Sequence, residues 1–197
     1  MKKKNIFILL GNEDKNTFTG SLADMYEKGA KDGGHEVRRM NIGEMDFDPL
    51  LHKGYKEIQE LEPDLIQVQE NMKWCDHYAI FYPNWWGSMP AIFKGMFDRM
   101  FLPGFAFRFK KKGFLKGLLW TKLLKGRSAC VWVTLNTPPW FATLFFGDNT
   151  NEIEENILEF AGFSPVRVVR KGPVERMRPK ELDAMKRDAY KAGRKGR

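Results

Sequence analysis

Residues 79–109 read AIFYPNWWGSMPAIFKGMFDRMFLPGFAFRF, a strand, a sharp turn and a helix in succession. Tyr78 to Tyr82 is an apolar run of strand length, the pattern of a parallel strand buried on both faces. Pro83 to Gly87 then makes a sharp turn carrying Trp85 and Trp86. Beyond it Met89, Ile92, Phe93, Met96, Phe97 and Met100 recur at the spacing of one helix face. Ser88 is placed to cap that helix, with Pro90 in its first turn. Asn84 to Gly87 therefore fall in the loop beyond the strand's carboxyl end, where open α/β sheets bind ligands. Two adjacent tryptophans in such a loop do not easily enter one core together, so at least one faces a cleft or an interface. The alternative is that both are core residues.

Toward the N-terminus, Ile6 to Leu10 is a second apolar run, ended by Gly11. From Thr17 onward Phe18, Leu22, Met25, Tyr26 and Ala30 follow helical spacing, which stops at Gly33-Gly34. A helix start preceded by Lys15 and bearing the hydroxyls of Thr17 and Thr19 suits a phosphate. An ordinary capped turn accounts for the same residues. Neither G-x-x-x-x-G-K-[ST] nor G-x-G-x-x-G occurs, which argues against an ATP site and a Rossmann dinucleotide site. His35 to Met40 reads as a partly exposed edge strand, 41–62 as a long irregular connection, and Pro63 onward as a helix. Connections of that length are often functional or pack over a neighbouring subunit.

Toward the C-terminus, Phe105, Phe107 and Phe109 alternate as in a short extended segment, for which a packed hairpin is the plain explanation. Ser128 to Thr134 is a strand, Leu135 to Trp140 a Pro-rich turn, and Asp148 to Gly162 an amphipathic helix with Ile153, Ile157 and Phe160 inside. Val166 to Val169 is a last strand, and a helix from Pro179 runs into the basic tail Arg194 to Arg197. This alternation predicts an α/β protein: one flavodoxin-like domain over residues 1–197, a five-stranded parallel doubly wound sheet with helices on both faces.

The 197 residues carry a formal net charge of +8. No acid lies between Asp98 and Asp148, whereas Arg99, Arg108, Lys110, Lys111, Lys112, Lys116, Lys122, Lys125 and Arg127 do. A patch of one sign attracts a nucleotide, an acidic partner or anionic lipid, and is otherwise a solvated face. Cys75 and Cys130 have no C-x-x-C spacing and read as reduced packing residues of a cytoplasmic protein. The apolar run after Lys2-Lys3-Lys4 is too short for a secretion signal, and no run reaches the length of a membrane span, which leaves peripheral association open. His35, His52 and His77 lack metal-ligand spacing and G-x-S-x-G is missing, so no metal is expected. Without an obvious acid, base or nucleophile, the chemistry falls to a bound cofactor.

Pro83 to Arg99, with Trp85-Trp86, Pro90-Ala91, Lys94 and Asp98-Arg99, followed by the PGFAF of Pro103 to Phe107, resembles the flavodoxin-like NAD(P)H:quinone oxidoreductase family. Weaker similarity extends from Ile6 to about Val169. The resemblance implies a flavoenzyme holding FMN or FAD, reduced by NAD(P)H and oxidised by a quinone or similar flat acceptor in a ping-pong cycle. It implies flavin phosphate contacts at Asn12, Lys15, Asn16, Thr17, Phe18 and Thr19. It implies ring contacts at Pro83, Asn84, Trp85, Trp86 and Gly87, and at Thr134, Leu135, Asn136 and Thr137. Many relatives carry His at the position of Asn12, Ser at that of Thr17, and a Thr-Thr-Gly-Gly-like turn at 134–137. Phe107 and Phe109, where tyrosines are frequent, would reach the substrate site of the other subunit of a homodimer, with Trp140 and Phe141 as further pocket walls.

The length favours FMN, and basic residues near the site favour NADPH. Two other readings stand beside this one. The chain could be an ancillary or regulatory subunit of a membrane transport system, as some relatives are. It could instead bind nucleic acid through residues 105–125, although the short basic-aromatic mixture and the fold make nucleic acid unexpected.

Overall fold

A computed structural model of the chain describes residues 2–110, 119–148 and 150–197. In chain order the elements are β1 (Asn5–Leu10), α1 (Phe18–Asp32), β2 (Glu36–Asn41), α2 (Pro63–Trp74), β3 (His77–Pro83) and α3 (Ala91–Met100). There follow β4 (Phe107–Phe109), β5 (Trp120–Lys122), β6 (Ser128–Thr134), α4 (Pro139–Phe146), β7 (Val166–Lys171) and α5 (Pro179–Lys195). Between α4 and β7, Glu152–Glu159 winds as a π-helix.

Five strands form one parallel sheet in the order β2-β1-β3-β6-β7. That is the doubly wound order with its switch point between β1 and β3, so the expected flavodoxin-like sheet is present. The period-two alternation of the strands assigns side chains to two cores. Ile6, Ile8 and Leu10 of β1, with Ala79 and Phe81 of β3, pack with Leu22 and Tyr26 of α1 and Met185 and Ala189 of α5. Phe7 and Leu9, with Tyr78, Ile80 and Tyr82, pack with Leu65 and Met72 of α2 and Phe93, Met96 and Phe97 of α3. Each fully buried side chain of this size contributes roughly 1.5–3 kcal/mol, so β1 and β3 form a rigid base for the loops at their carboxyl ends. The antiparallel pair β4-β5 stands apart from this sheet.

Three local expectations are corrected. Ser88 does not cap α3: the helix begins at Ala91 after Pro90 in an extended conformation, and Ser88, two residues further back, donates its hydroxyl to Glu152 instead (2.7 Å). The Pro-rich segment at 138–140 is a turn only as far as Pro138, because Pro139 starts α4. Proline fits that position, where a helix needs no amide donor. Arg99 does not belong to a solvated basic face. It is buried, with Nη1 and Nη2 donating to the Glu62 carboxylate (3.0 and 2.9 Å) and further bonds to the carbonyls of Asp48 and Glu60. It thereby ties the irregular 41–62 connection to α3. Lys111, Lys112 and Lys116 of the basic run lie outside the described residues. No described helix is long and apolar enough to cross a membrane.

Candidate functional site

Three loops meet at the carboxyl rim: β1 to α1, β3 to α3 and β6 to α4. In the first, Thr17 is the N-cap of α1 and its Oγ1 accepts from the Gly20 amide (3.1 Å). The same hydroxyl receives the Asn12 side-chain amide (3.0 Å) and donates to the Asp14 carbonyl (3.2 Å). The Thr17 hydroxyl is thus fully engaged in shaping the loop. The donors left for a ligand are the first helical amides, which a helix leaves without intrahelical partners. A Cβ at Gly20 would fall 2.0 Å from the Lys15 carbonyl, so the loop closes over the helix only because residue 20 is glycine. Thr19 anchors the first loop to the third through a buried 2.7 Å contact between its hydroxyl and that of Thr134.

The second loop is pinned by backbone bonds from the Asn84 amide to the Thr134 carbonyl (2.8 Å) and reciprocally between Trp85 and Ser88 (2.8 and 3.1 Å). Trp86 stands at its tip, fully exposed, with φ of +54°. Among the described residues it is the one non-glycine in the left-handed region, a conformation costing roughly 1–2 kcal/mol for an L-residue and concentrated at functional sites. Gly87 follows at +85° and donates its amide to Asn84 Oδ1 (3.2 Å). That bond orients the Asn84 side chain and leaves its Nδ2 buried without a hydrogen-bond partner among the described residues. A buried donor in this state costs about 1–3 kcal/mol unless a ligand satisfies it.

Two cavities open on this rim and share Asn84 and Asn136. One, of about 390 Å³, is lined by Asn12, Thr17, Phe18, Thr19, Pro83, Asn84, Trp85, Thr134 and Asn136, together with Glu13, Asp14 and Val174. The other, of about 770 Å³, is lined by Asn84, Trp86, Gly87, Leu135, Asn136 and Thr137, with Ala142, Phe146, Asp148 and Glu152. Both sizes lie within the ~300–1,000 Å³ range of small-molecule sites. Lys15 and Asn16 line neither: the Lys15 ammonium pairs with Glu44, and the Asn16 amide donates to Asp14 Oδ1 (2.7 Å). Trp140 and Phe141 are also outside the second cavity, whose α4 wall is Ala142 and Phe146.

A third cavity, of about 660 Å³, is lined by Phe107 and Phe109 with Tyr55, Phe97, Phe101 and Phe160, and reaches Glu152. The structure therefore separates the two hairpin phenylalanines from the rim cavities, with Glu152 on the boundary. Among the described residues no basic side chain lines either rim cavity. Among the described residues the titratable groups lining the two rim cavities are Glu13, Asp14, Asp148 and Glu152. Burial works to raise the Asp148 carboxyl, but the hydroxyl and amide of Thr150 and the Arg170 guanidinium hold it below the usual carboxylate range.

These rim residues fit a flavin. The α1 amides suit a phosphate, the unpartnered Asn84 nitrogen suits a ring acceptor, and Trp86 and Leu135 give apolar walls.

Fold and rim together define an α/β protein of flavodoxin-like topology with two cavities of small-molecule size at the switch point of its sheet. A family model described as the flavodoxin-like fold matches residues 4–193, and the chain belongs to that family. It is 28% identical over 143 residues to the ribosyldihydronicotinamide dehydrogenase [quinone] of Mus musculus, a match covering 60% of this chain and 62% of the mouse protein. In three further curated relatives the match spans about half of their length, at 55%, 47% and 46%. The NAD(P)H:quinone oxidoreductase structure from Methanothermobacter marburgensis superposes with a TM-score of 0.80 at 18% identity, over 98% of this chain and 96% of that one. An FMN-dependent NADH-azoreductase from Bacillus anthracis, solved with FMN, gives 0.72 at 17% identity with full coverage of both chains.

Proposed function

We propose that this chain is an FMN-dependent NAD(P)H:quinone oxidoreductase acting as a homodimer. The observation that carries the reading is Asn84, which lines both rim cavities and whose buried Nδ2 has no hydrogen-bond partner among the described residues. The names of the mouse and Methanothermobacter proteins support the activity, and the FMN of the Bacillus structure supports the cofactor.

In this reading the amides of Phe18 and Thr19 hold the phosphate end in the smaller cavity, with Asn12 and Thr17 fixing the loop. Asn84 donates to the ring, the backbone of Thr134 to Thr137 lines its edge, and Trp86 and Phe146 exclude water from its open face. Bound there, FMN would accept a hydride from NAD(P)H and pass two electrons to the acceptor. The larger cavity takes the uncharged dihydronicotinamide ring of the donor and then the acceptor, so double-reciprocal plots at several fixed acceptor concentrations are parallel. Phe107, Phe109 and the exposed Tyr55 form the face that meets the second subunit.

The test is the affinity for FMN, followed by quenching of its fluorescence. Asn84→Asp keeps the oxygen that receives the Gly87 amide and replaces the free donor by an acceptor. It weakens binding roughly tenfold or more. Trp86→Ala removes the apolar wall and also lowers flavin retention. Unchanged affinity in both variants would place the ring elsewhere.

A further inference from the structure

Glu152 occupies a singular position: it lines both the larger rim cavity and the hairpin cavity. Its Oε2 accepts from the Ser88 hydroxyl at 2.7 Å, and the Lys94 ammonium stands 4.0 Å from Oε1. Lys94 is engaged more closely with Asp98, at 2.7 Å. The three charged groups therefore sum to one net negative charge on the cavity boundary. Across the same cavity Asp148 is balanced by Arg170 at 3.0 Å, which leaves the excess negative charge among the described lining residues at Glu152. Burial first, and then the Glu152 and Asp148 carboxylates, push up the buried Tyr82 hydroxyl. The rest of the described wall carries no charge: the apolar Trp86, Leu135, Ala142 and Phe146 stand beside the neutral Asn84, Asn136 and Thr137, so no cation among the described lining residues offsets this carboxylate toward a ligand.

We propose that Glu152 is a specificity-determining residue of the larger rim cavity, which selects flat acceptors without negative charge and turns away anionic ones such as sulfonated quinones. This deepens the oxidoreductase reading and rests on it. An apolar slot alone favours any flat molecule of the right size. A single carboxylate at its edge adds a Coulombic penalty for an anion and none for a neutral quinone, and added salt weakens that penalty.

The experiment compares kcat/KM for menadione and for naphthoquinone sulfonate with the FMN-loaded protein. Intrinsic reactivity differs between the two acceptors but cancels when their ratio is compared between variants. The sulfonate-to-menadione ratio rises roughly three- to tenfold in Glu152→Gln, falls in Lys94→Gln, and rises in the wild type on adding salt. Glu36→Gln, whose parent carboxylate pairs with Lys3 at the opposite end of the sheet, leaves the ratio alone. Equilibrium binding of naphthoquinone sulfonate without donor, followed by tryptophan quenching, tightens by a similar factor in Glu152→Gln. A ratio and a sulfonate affinity that stay within twofold of the wild type in both cavity variants overturn the proposal. If neither acceptor is reduced but sulfonate binding still responds to Glu152, the oxidoreductase reading fails and the charge selection stands.

Discussion

Trp86 and Asn84 carry most of what single residues say about this protein. A tryptophan held in a left-handed conformation and fully exposed gains nothing for the core, so its position makes sense only through what it faces. The adjacent pair Trp85-Trp86 between proline and glycine was legible in the sequence as a residue pair that the core could not absorb. Asn84's free nitrogen was not legible, because it depends on the Gly87 amide occupying the other end of the side chain. Nor was the fate of Lys15, since Glu44 is far from it in sequence.

At the opposite end of β3, His77 is buried with its ring nitrogens 2.8 Å from Ser128 Oγ and 3.4 Å from Cys130 Sγ. Burial, with Lys4, His35 and Arg167, depresses its pKa to about 3. The unfolded chain takes up this proton near pH 6.5 and the folded one does not. Stability is therefore complete above that pH and falls by up to several kcal/mol as the pH drops toward 3. Denaturant unfolding measured from pH 7 to 4 should show this decline, and a His77→Gln variant should show a distinctly shallower one. Equal slopes would mean that the histidine is protonated in the fold.

At the scale of elements, β1, β3, β6 and α1 follow from apolar runs and helical spacing, because each is buried along its length. The helix α4 does not. Pro138-Pro139 reads as a turn, and PWFATLFF is apolar all round, so no periodicity separates helix from loop. The exposed Trp140, Leu144 and Phe146 break the rule that apolar residues mark the core. The 41–62 connection is likewise irregular in sequence, yet the structure anchors it through Arg99 and Glu62. Burial works to raise the Glu62 carboxyl, but Arg99 and the backbone bonds hold it below the usual range. That contribution is present above the unfolded value of ~4.3 and is lost as the pH falls through the lower folded one. Glu62→Gln leaves the Arg99 charge buried and uncompensated, and should cost about 3–5 kcal/mol in denaturant unfolding at pH 7. It should also flatten the acid limb of the stability curve. A cost below about 1 kcal/mol would show that solvent reaches Arg99.

For the whole molecule, the flavodoxin-like fold follows from the order of its apolar runs, and the strand order β2-β1-β3-β6-β7 confirms it. The electrostatics of the site do not follow from the total charge. A chain of net charge +8 places only acidic groups among the described titratable linings of its rim cavities. The described residues therefore lend no support to the expectation of NADPH drawn from basic residues near the site, and the choice of nicotinamide rests on measurement.

On the proposed function, the carboxyl rim holds a flavin which reduced nicotinamide can reach. The most direct measurement is the anaerobic visible spectrum of the purified protein loaded with FMN and freed of excess by gel filtration, before and after NADH or NADPH. A flavin at this rim gives a yellow protein whose visible absorption bleaches with one of these donors and returns on adding menadione. A protein that emerges colourless, or a bound flavin that neither donor bleaches, would contradict the proposed function.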